Sequence, residues 1–332
     1  MFAKASLPLS VHSLSLSRNL ITAGLLGTAA LFQAGAAHAE APKVVVSIKP
    51  IHSLVASIMQ GVGEPSLIVE GAASPHTYSM KPSNAAALQN ADLVFWVGHG
   101  LEAFLEKPLE SLGGNAKVVE LDDAPGLTKL KFREGGAFEP HDDGDEGEDH
   151  ADGHHHDEGE FDMHLWLDPM NAKAMAAEIE ATLEKADPGN VARYRANLEA
   201  LKARLDTLDT SLAAKIAPIK DKPFIVFHDA YQYFEHRYGV KVAGSITVSP
   251  ETMPGAERLS QIHDKIETLG ATCVFSEPQF EPKLVNVVLE GTSAKSGTLD
   301  PEAATLEAGP DLYFQLMDGI GISLTDCLGT AG

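Results

Sequence analysis

Basic residues are scarce in this 332-residue sequence, which has 25 lysines and arginines against 47 aspartates and glutamates. Its formal net charge of −22 argues against binding to a phosphate backbone, which needs clustered basic side chains, so no nucleic-acid partner is expected. The sequence also lacks a G-x-x-x-x-G-K-[ST] phosphate-binding loop, so the chain cannot drive a pump alone. The acidic balance is compatible with a protein that attracts cations.

Long apolar runs are scarce as well. Residues 1–39 contain Lys4, Arg18, an apolar stretch from Leu20 to Phe32 and an A-x-A-like ending at Ala39. This order is typical of a cleaved export signal, and a retained anchor is the alternative. No later run approaches the roughly 20 apolar residues of a membrane span, so the mature chain is expected not to insert into a membrane.

Cysteine is limited to Cys273 and Cys327, without any C-x-x-C pair. In an exported protein, an even pair of cysteines is expected to form a disulfide. Thiolate metal ligands are the weaker alternative, because the C-x-x-C spacing that is common among them is missing.

One segment, residues 134–160, has no lysine or arginine but has twelve acidic side chains and five histidines. The histidines are His141, His150, His154, His155 and His156. We call this segment the His-rich tract. Its low hydrophobicity and high charge predict a disordered insertion. Because carboxylates and imidazoles are ligands for borderline divalent metals, above all zinc, we expect it to be an accessory metal-binding loop.

Short apolar runs alternate with helix-like segments on both sides of one long periodic segment. The runs begin near Val44, Ser66, Leu93 and Lys117 in the first block and near Phe224, Val242, Thr272 and Gly297 in the second. Such alternation predicts βαβ units, and therefore an α/β fold of two lobes with parallel sheets. Ligands of such sheets lie beyond the carboxyl ends of the strands, which predicts a binding cleft between the lobes.

Between the blocks, apolar residues recur every three or four positions from Val191 to Ile216. They predict an amphipathic helix of roughly 30 residues and about 45 Å, with Asp187-Pro188 as its start. A coiled-coil dimer is the competing interpretation, but the heptads are too few, so we expect an intramolecular strut in a monomer. The predicted division is an N-terminal lobe at 40–186, a linking helix at 187–219 and a C-terminal lobe at 220–332.

Three histidines lie in loops or at strand ends rather than on helix faces: His76, His164 and His228. They are 88 and 64 residues apart, so no local finger or helical clamp can contain them. Only a fold that brings two lobes together could assemble them into one site. Taken singly, each is more often a structural histidine than a ligand.

Six segments resemble, in order, the motifs of the zinc-binding proteins of high-affinity zinc ABC importers, the ZnuA-like family. The segments are residues 47–50 (SIKP), 71–83 (GAASPHTYSMKPS), 164–169 (HLWLDP), 227–231 (FHDAY), 275–280 (FSEPQF) and 297–301 (GTLDP). The resemblance covers about Val44 to Cys327. It implies two (β/α) lobes bridged by one long rigid helix, with the metal in the interlobe cleft.

Carried over by motif, the resemblance implies that His76, His164 and His228 bind Zn²⁺. Manganese- and iron-binding relatives place a carboxylate at the third position, and three imidazoles favour zinc over a harder ion. Some members place Glu before the first histidine, where this chain has Pro75. Asp300 matches the carboxylate ligand of other relatives, although it could instead be an N-cap in an Asp-Pro pair, with water completing the tetrahedron.

The function implied by the resemblance is that of a periplasmic protein that captures Zn²⁺ and delivers it to the permease of an ABC importer. The partners would be that permease and, through it, a cytoplasmic ATPase. The alternatives are a manganese- or iron-binding protein of the same family, a periplasmic zinc buffer and a zinc-dependent hydrolase. An enzyme is not expected, because the sequence has no H-E-x-x-H or similar base-bearing motif, although three histidines with an open position also hold catalytic zinc.

Overall fold

The computed structural model describes residues 41–133, 161–247, 249–250, 253–270 and 273–329, which contain two four-stranded parallel sheets. The first sheet consists of β1 (Val44–Val46), β2 (Ser66–Leu67), β3 (Leu93–Trp96) and β4 (Lys117–Glu120), in the order β2-β1-β3-β4. All residues of β1 and β3 are buried, as expected for central strands that helices cover on both faces.

The second sheet repeats this topology. It consists of β5 (Pro223–His228), β6 (Lys241–Thr247), β7 (Cys273–Ser276) and β8 (Lys295–Thr298), in the order β6-β5-β7-β8. The predicted α/β class with two parallel sheets is therefore confirmed. The edge strand β8 begins two residues before its predicted position near Gly297, because its mostly exposed side chains carry little apolar signal.

Nine α-helices lie within the described residues. They are α1 (Lys49–Ile58), α2 (Pro82–Gln89), α3 (Glu106–Leu112), α4 (Pro169–Ala186), α5 (Val191–Ile216), α6 (Gln232–Tyr238), α7 (Ala256–Leu269), α8 (Lys283–Leu289) and α9 (Leu312–Leu328). The predicted cap of α4 is present, since the Asp168 carboxylate accepts a hydrogen bond from Met170 N at 2.8 Å. None of the helices in this part of the chain is long and apolar enough to cross a membrane.

The long helix α5 starts later than its sequence predicts. Asp187 does not cap it; this residue ends α4, and its carboxylate accepts hydrogen bonds from the side chains of Asn190 and Tyr194. The Asp-Pro pair thus belongs to a turn between two helices, and α5 has 26 residues, which corresponds to about 39 Å. The predicted apolar stripe is buried from Tyr194 to Ile216.

Helix α5 packs against helices from both halves of the chain. Its partners are α4 and α1 from the first half and α9 and, to a smaller extent, α6 from the second, and α9 also packs against α1. One continuous apolar core therefore runs through this helical layer and joins the two sheets. The division into lobes at 40–186, 187–219 and 220–332 stays a prediction.

The expected disulfide joins Cys273, at the start of β7, to Cys327, in the last turn of α9. It ties the C-terminal helix to the second sheet. Because α9 also packs against α1 and α5, the disulfide secures one side of the interface between the two halves.

Replacing both cysteines, Cys273→Ser with Cys327→Ser, should lower the free energy of unfolding by up to about 4 kcal/mol, because the unfolded chain then regains the freedom of a long loop. Urea denaturation of the metal-free protein measures this change. Wild-type protein kept reduced is the control and should unfold like the double variant. Equal midpoints for the double variant and the oxidised wild type would contradict the prediction.

Glu102 is a fully buried carboxyl group at the carboxyl ends of β1 and β3. Its Oε1 accepts hydrogen bonds from Ser47 Oγ at 2.5 Å and Val97 N at 3.2 Å, and its Oε2 accepts one from Gly98 N at 3.0 Å. Burial raises the pKa of Glu102 to about 7, although these hydrogen bonds favour the charged form.

This raised pKa predicts a pH-dependent stability. The folded protein binds the proton of Glu102 more tightly than the unfolded chain, whose carboxyl has a pKa near 4.5. The stabilisation is therefore complete below pH 4.5 and is lost as the pH rises to about 7. Relative to Glu102→Gln, the wild type should lose unfolding free energy over that window in urea titrations at several pH values. A constant difference between the two proteins would contradict this assignment.

Candidate metal centre

His76 lies in the loop after β2, on a single 3₁₀ turn formed by Pro75–Thr77. The Ser74 hydroxyl caps this turn by accepting a hydrogen bond from His76 N at 3.3 Å. Pro75, which stands where some relatives have a glutamate ligand, occupies the first position of the turn and restricts its backbone. The His76 side chain is 13% exposed and is the most accessible of the three predicted ligands.

His164 comes directly before the 3₁₀ turn Leu165–Leu167, and its orientation is set by Asp162. The Asp162 carboxylate, which is fully buried, accepts a hydrogen bond from His164 N at 3.0 Å and one from His164 Nδ1 at 2.7 Å. A carboxylate only accepts, so Nδ1 carries the proton and the lone pair of Nε2 faces the other histidines.

His228 is the last residue of β5 and is 1% exposed. Its Nδ1 lies 2.7 and 2.8 Å from the two oxygens of Glu277, which follows β7 and is also buried. Because β5 and β7 are neighbouring parallel strands, their carboxyl ends bring this pair together. In the sequence, Glu277 is visible only as part of the FSEPQF motif, which does not indicate that it pairs with His228.

The three Nε2 atoms converge on one point. His164 Nε2 lies 3.4 Å from His76 Nε2 and 3.3 Å from His228 Nε2, and the ligand atoms of all three residues lie within 4.8 Å of one another. In a tetrahedral zinc site with Zn–N bonds of about 2.0–2.1 Å, two nitrogens stand about 3.3–3.4 Å apart. Two edges of this triangle therefore have the dimensions of a zinc tetrahedron. The structure brings together the three histidines that the sequence could not connect locally.

Two carboxyl groups, those of Asp300 and Glu302, lie near the place where a fourth metal ligand would stand. Asp300 Oδ1 accepts hydrogen bonds from the main-chain nitrogens of Glu302 and Ala304, and its Oδ2 accepts one from Thr305 N. Its use as a ligand stays a prediction. Glu302, which sequence reasoning missed, is buried with Oε1 4.0 Å from His76 Nε2. Its only sequence signal is its place directly after the Asp-Pro pair.

The carboxyl groups of Glu277 and Glu302 beside the histidines are buried, so their charge depends on whether a cation is bound. Burial raises the pKa of Glu277 to about 8, an effect that a hydrogen bond with the main chain of His228 opposes. Burial, followed by repulsion from Glu277 and Asp300, raises the pKa of Glu302 well above its ordinary range. A divalent cation on the three imidazoles would favour the ionised form of each carboxyl. Neutral nitrogen donors beside acidic partners are the donor set that zinc prefers.

The described residues on either side of the His-rich tract meet near this centre. Lys131 pairs with Phe161 in an antiparallel bridge, and Asp162 N donates to Leu130 O at 2.9 Å. Arg133 forms ion pairs with Asp229 and Glu235, so the residue before the tract contacts the residue after His228. His141, His150, His154, His155 and His156 lie outside the described residues. Their predicted role as an accessory loop stays a prediction.

A second group of side chains with metal-ligand atoms is less suited to zinc. It consists of Glu120, Asp122 and Asp123 near the end of β4. Lys129 Nζ lies 3.7 Å from Asp122 Oδ2 and 3.8 Å from Asp123 Oδ1, so a lysine already balances part of this charge. Of the two groups found among the residues that the structure describes, only the histidine group has imidazole donors that are buried and oriented by carboxyl partners.

Comparison with known proteins agrees with this geometry. Residues 44–327 match the family described as "ZnuA: Zinc-uptake complex component A periplasmic". The high-affinity zinc uptake system protein ZnuA of Brucella abortus (strain 2308) is 55% identical over 306 residues, which cover 86% of this chain and 91% of the relative. The protein of that name from Yersinia pestis is 38% identical over 295 residues, with the same shares covered.

Among solved structures, a ZnuA deletion mutant with zinc bound has a TM-score of 0.71 and 27% identity, over 88% of this chain and 100% of that one. The fold is thus that of two-lobed periplasmic binding proteins. The chain belongs to the ZnuA family, which confirms the resemblance recognised in the sequence.

The contact between Glu277 and His228 predicts a measurable effect on metal affinity. Glu277→Gln keeps an oxygen that accepts from Nδ1 but removes the charge, so zinc affinity should fall about 10-fold or more in a competition titration with a chromogenic chelator. Glu281→Gln makes the same change at an exposed position four residues away and should leave the affinity unaltered. Equal affinities for both variants would contradict a role for Glu277 in the site.

Proposed function

We propose that the protein captures Zn²⁺ with high affinity in the periplasm and delivers it to the permease of an ABC importer. The convergence of His76, His164 and His228 Nε2 at tetrahedral spacing is the observation that carries this proposal. Membership of the ZnuA family supports it, because the relatives from Brucella abortus and Yersinia pestis are named high-affinity zinc uptake proteins.

Zinc is favoured over manganese or iron by the donor set. Three imidazole nitrogens suit a borderline ion, whereas harder ions prefer a higher share of oxygen donors. The third ligand position is occupied by His228, whose Nδ1 is held by Glu277. A carboxylate cannot replace this imidazole without losing that hydrogen bond, so the surrounding residues are matched to histidine.

Burial supports a cargo site rather than a catalytic one. His164 is 5% exposed and His228 is 1% exposed, which leaves little room for a second substrate beside the metal. A hydrolytic zinc needs an open coordination position and a base that activates water. Screening of the zinc-loaded protein against ester, amide and phosphoester substrates separates the two classes. Turnover that is abolished by His228→Ala would favour an enzyme.

Delivery follows from the positions of the ligands along the chain. His76 and His164 precede α5, whereas His228 follows it at the end of β5 in the second sheet. A bound ion would therefore tie the two halves together, and a movement of one half against the other would break metal bonds. We infer that contact with the permease promotes this movement, and that a cytoplasmic ATPase acts through the permease. The binding protein itself is expected to work as an exported monomer.

The His-rich tract is proposed to collect zinc near the centre. Its flanking residues, Lys131 and Phe161, are paired close in sequence to Arg133 and His164, so the points where the tract joins the described chain lie near the site. The tract is therefore an accessory in this proposal, and the tight site is formed by the three distant histidines.

The proposal is tested by comparing His228→Ala with a variant that lacks residues 139–160. Isothermal titration with Zn²⁺ should show a loss of at least about 100-fold in affinity for His228→Ala, because a ligand from the second half is gone. Removal of the tract should abolish only weak additional binding. His263→Ala, at a partly exposed position of α7 remote in sequence from the three ligands, is the matched control and should bind like the wild type.

Equal losses of tight binding in His228→Ala and in the tract deletion would contradict the assignment of the central site. A zinc-limited strain that grows equally well with and without the protein would instead favour a periplasmic buffer. If the tract deletion acquires zinc from chelators as fast as the wild type, the collecting role of the tract is wrong.

A further inference from the structure

We propose that Tyr233 is a positioning residue of the metal centre, whose hydroxyl holds Asp162 in the place from which it orients His164. This inference rests on the proposed zinc-binding function and assigns a role to a residue of α6 that is not itself a ligand. Because Tyr233 lies five residues after His228, its hydroxyl also fixes the position of one histidine ligand relative to another.

The Tyr233 hydroxyl closes a ring of three hydrogen bonds with the main chain on both sides of the His-rich tract. Leu130 N donates to Tyr233 Oη at 3.1 Å, and Tyr233 Oη donates to Asp162 O at 2.6 Å. Asp162 N donates to Leu130 O at 2.9 Å and completes the ring. The hydroxyl therefore acts as donor and acceptor at once, and its removal would leave a main-chain N–H and a main-chain carbonyl without these partners.

The carboxylate of Asp162 depends on this ring for its position. Its Oδ1 accepts from His164 N at 3.0 Å and from His164 Nδ1 at 2.7 Å. Its Oδ2 is buried and accepts no hydrogen bond from the residues that the structure describes. No second donor on this oxygen fixes the carboxylate, so its place follows that of its own main chain. That main chain is held by Leu130 at the N–H and by Tyr233 at the carbonyl.

Tyr233 is itself firmly held. It is fully buried and is the second residue of α6, the short helix that follows β5 and His228. This helix packs against α5 and against the 3₁₀ turn Leu165–Leu167, which begins directly after His164. Burial raises the pKa of Tyr233 above its ordinary value, so the hydroxyl keeps its proton at neutral pH and is able to donate.

Arg133 attaches the same segment to the second half at another point. Its Nε donates to Asp229 Oδ2 at 3.1 Å, and its guanidinium lies 2.8 Å from Glu235 Oε1. Residues 130–133 are thus bound both to the residue after His228 and to α6. The groups that support His164 and His228 therefore form one hydrogen-bonded unit, which agrees with the 3.3 Å between the two Nε2 atoms.

The experiment compares Tyr233→Phe with Tyr238→Phe. Both variants remove a buried hydroxyl from α6, but that of Tyr238 donates to Asp209 Oδ1 at 3.1 Å, on α5. Tyr233→Phe should weaken Zn²⁺ binding at least about 10-fold in a competition titration, because groups that orient a ligand contribute to metal affinity. Tyr238→Phe should match the wild type. Equal affinities for the two variants would overturn the inference.

A positioning role also predicts effects that a general loss of stability would not produce. With Co²⁺ as the probe, the visible absorption bands should shift in Tyr233→Phe and not in Tyr238→Phe, because they report the ligand geometry. Combined with His164→Ala, Tyr233→Phe should add less than about 2-fold to the loss in zinc affinity, since it acts through His164. Additive losses would show that Tyr233 acts independently of His164 and would contradict its positioning role.

Hydrogen exchange of the wild type gives a test without variants. The amide of Leu130 donates to Tyr233, whereas that of Thr128, in the same segment, donates to Asn171 Oδ1 at 2.8 Å. If the ring holds His164, an ion bound there disfavours opening of the ring. Zn²⁺ should therefore slow the exchange of Leu130 N–H more than that of Thr128 N–H, measured by NMR. Equal slowing at both amides would overturn the coupling.

His228→Ala separates this inference from the proposed function. If His228→Ala loses tight binding while Tyr233→Phe matches Tyr238→Phe in affinity and Co²⁺ spectrum, the zinc site stands and Tyr233 is not a positioning residue. If His228→Ala retains tight binding, the proposed function itself fails, and the inference fails with it.

Discussion

The arrangement of the centre depends on hydrogen bonds between imidazoles and buried carboxylates. Asp162 holds His164 Nδ1 and Glu277 holds His228 Nδ1, so the two Nε2 atoms lie 3.3 Å apart, and His76 Nε2 lies 3.4 Å from that of His164. Without these partners each ring could turn about its side-chain bonds, and the nitrogens would no longer match a zinc tetrahedron. Each carboxylate is in turn fixed by backbone that the fold controls: Glu277 follows β7, and Asp162 follows the bridge between Lys131 and Phe161.

The helical layer makes this arrangement possible across two sheets. Helices α1, α5 and α9 share one apolar core, which keeps the carboxyl ends of β5 and β7 near the loops of the first sheet. Polar contacts add to this interface: Lys49 Nζ donates hydrogen bonds to the carbonyl oxygens of Ala303, Ala304 and Leu306 in the loop after β8, and Tyr313 OH donates to Trp166 O at 2.7 Å. Apolar packing holds the two halves of the chain together, and these hydrogen bonds, which are directional, fix how the two halves are positioned against each other.

Several elements were predictable because their signals are local. The apolar stripe of α5 and the Asp168 cap of α4 follow directly from spacing and side-chain chemistry. The predicted start of α5 at Asp187-Pro188 was wrong, because an Asp-Pro pair also occurs in turns that follow a helix. Here Asp187 ends α4, and its carboxylate accepts hydrogen bonds from the side chains of Asn190 and Tyr194. A short motif cannot separate these two uses, since both satisfy the carboxylate.

The amino-acid sequence by itself determined the acidic character, the alternation of strands and helices and, through its motifs, the family and the three histidines that the fold brings together. It could not determine which carboxylates stand beside them. Asp162, Glu277 and Glu302 are ordinary acidic residues in sequence, and 49 residues separate His228 from Glu277. Only tertiary structure decided that Asp300 shapes a loop while Glu302 faces His76. The physical reason is that orientation and burial, which convert a carboxylate into part of a metal site, arise from contacts between distant segments.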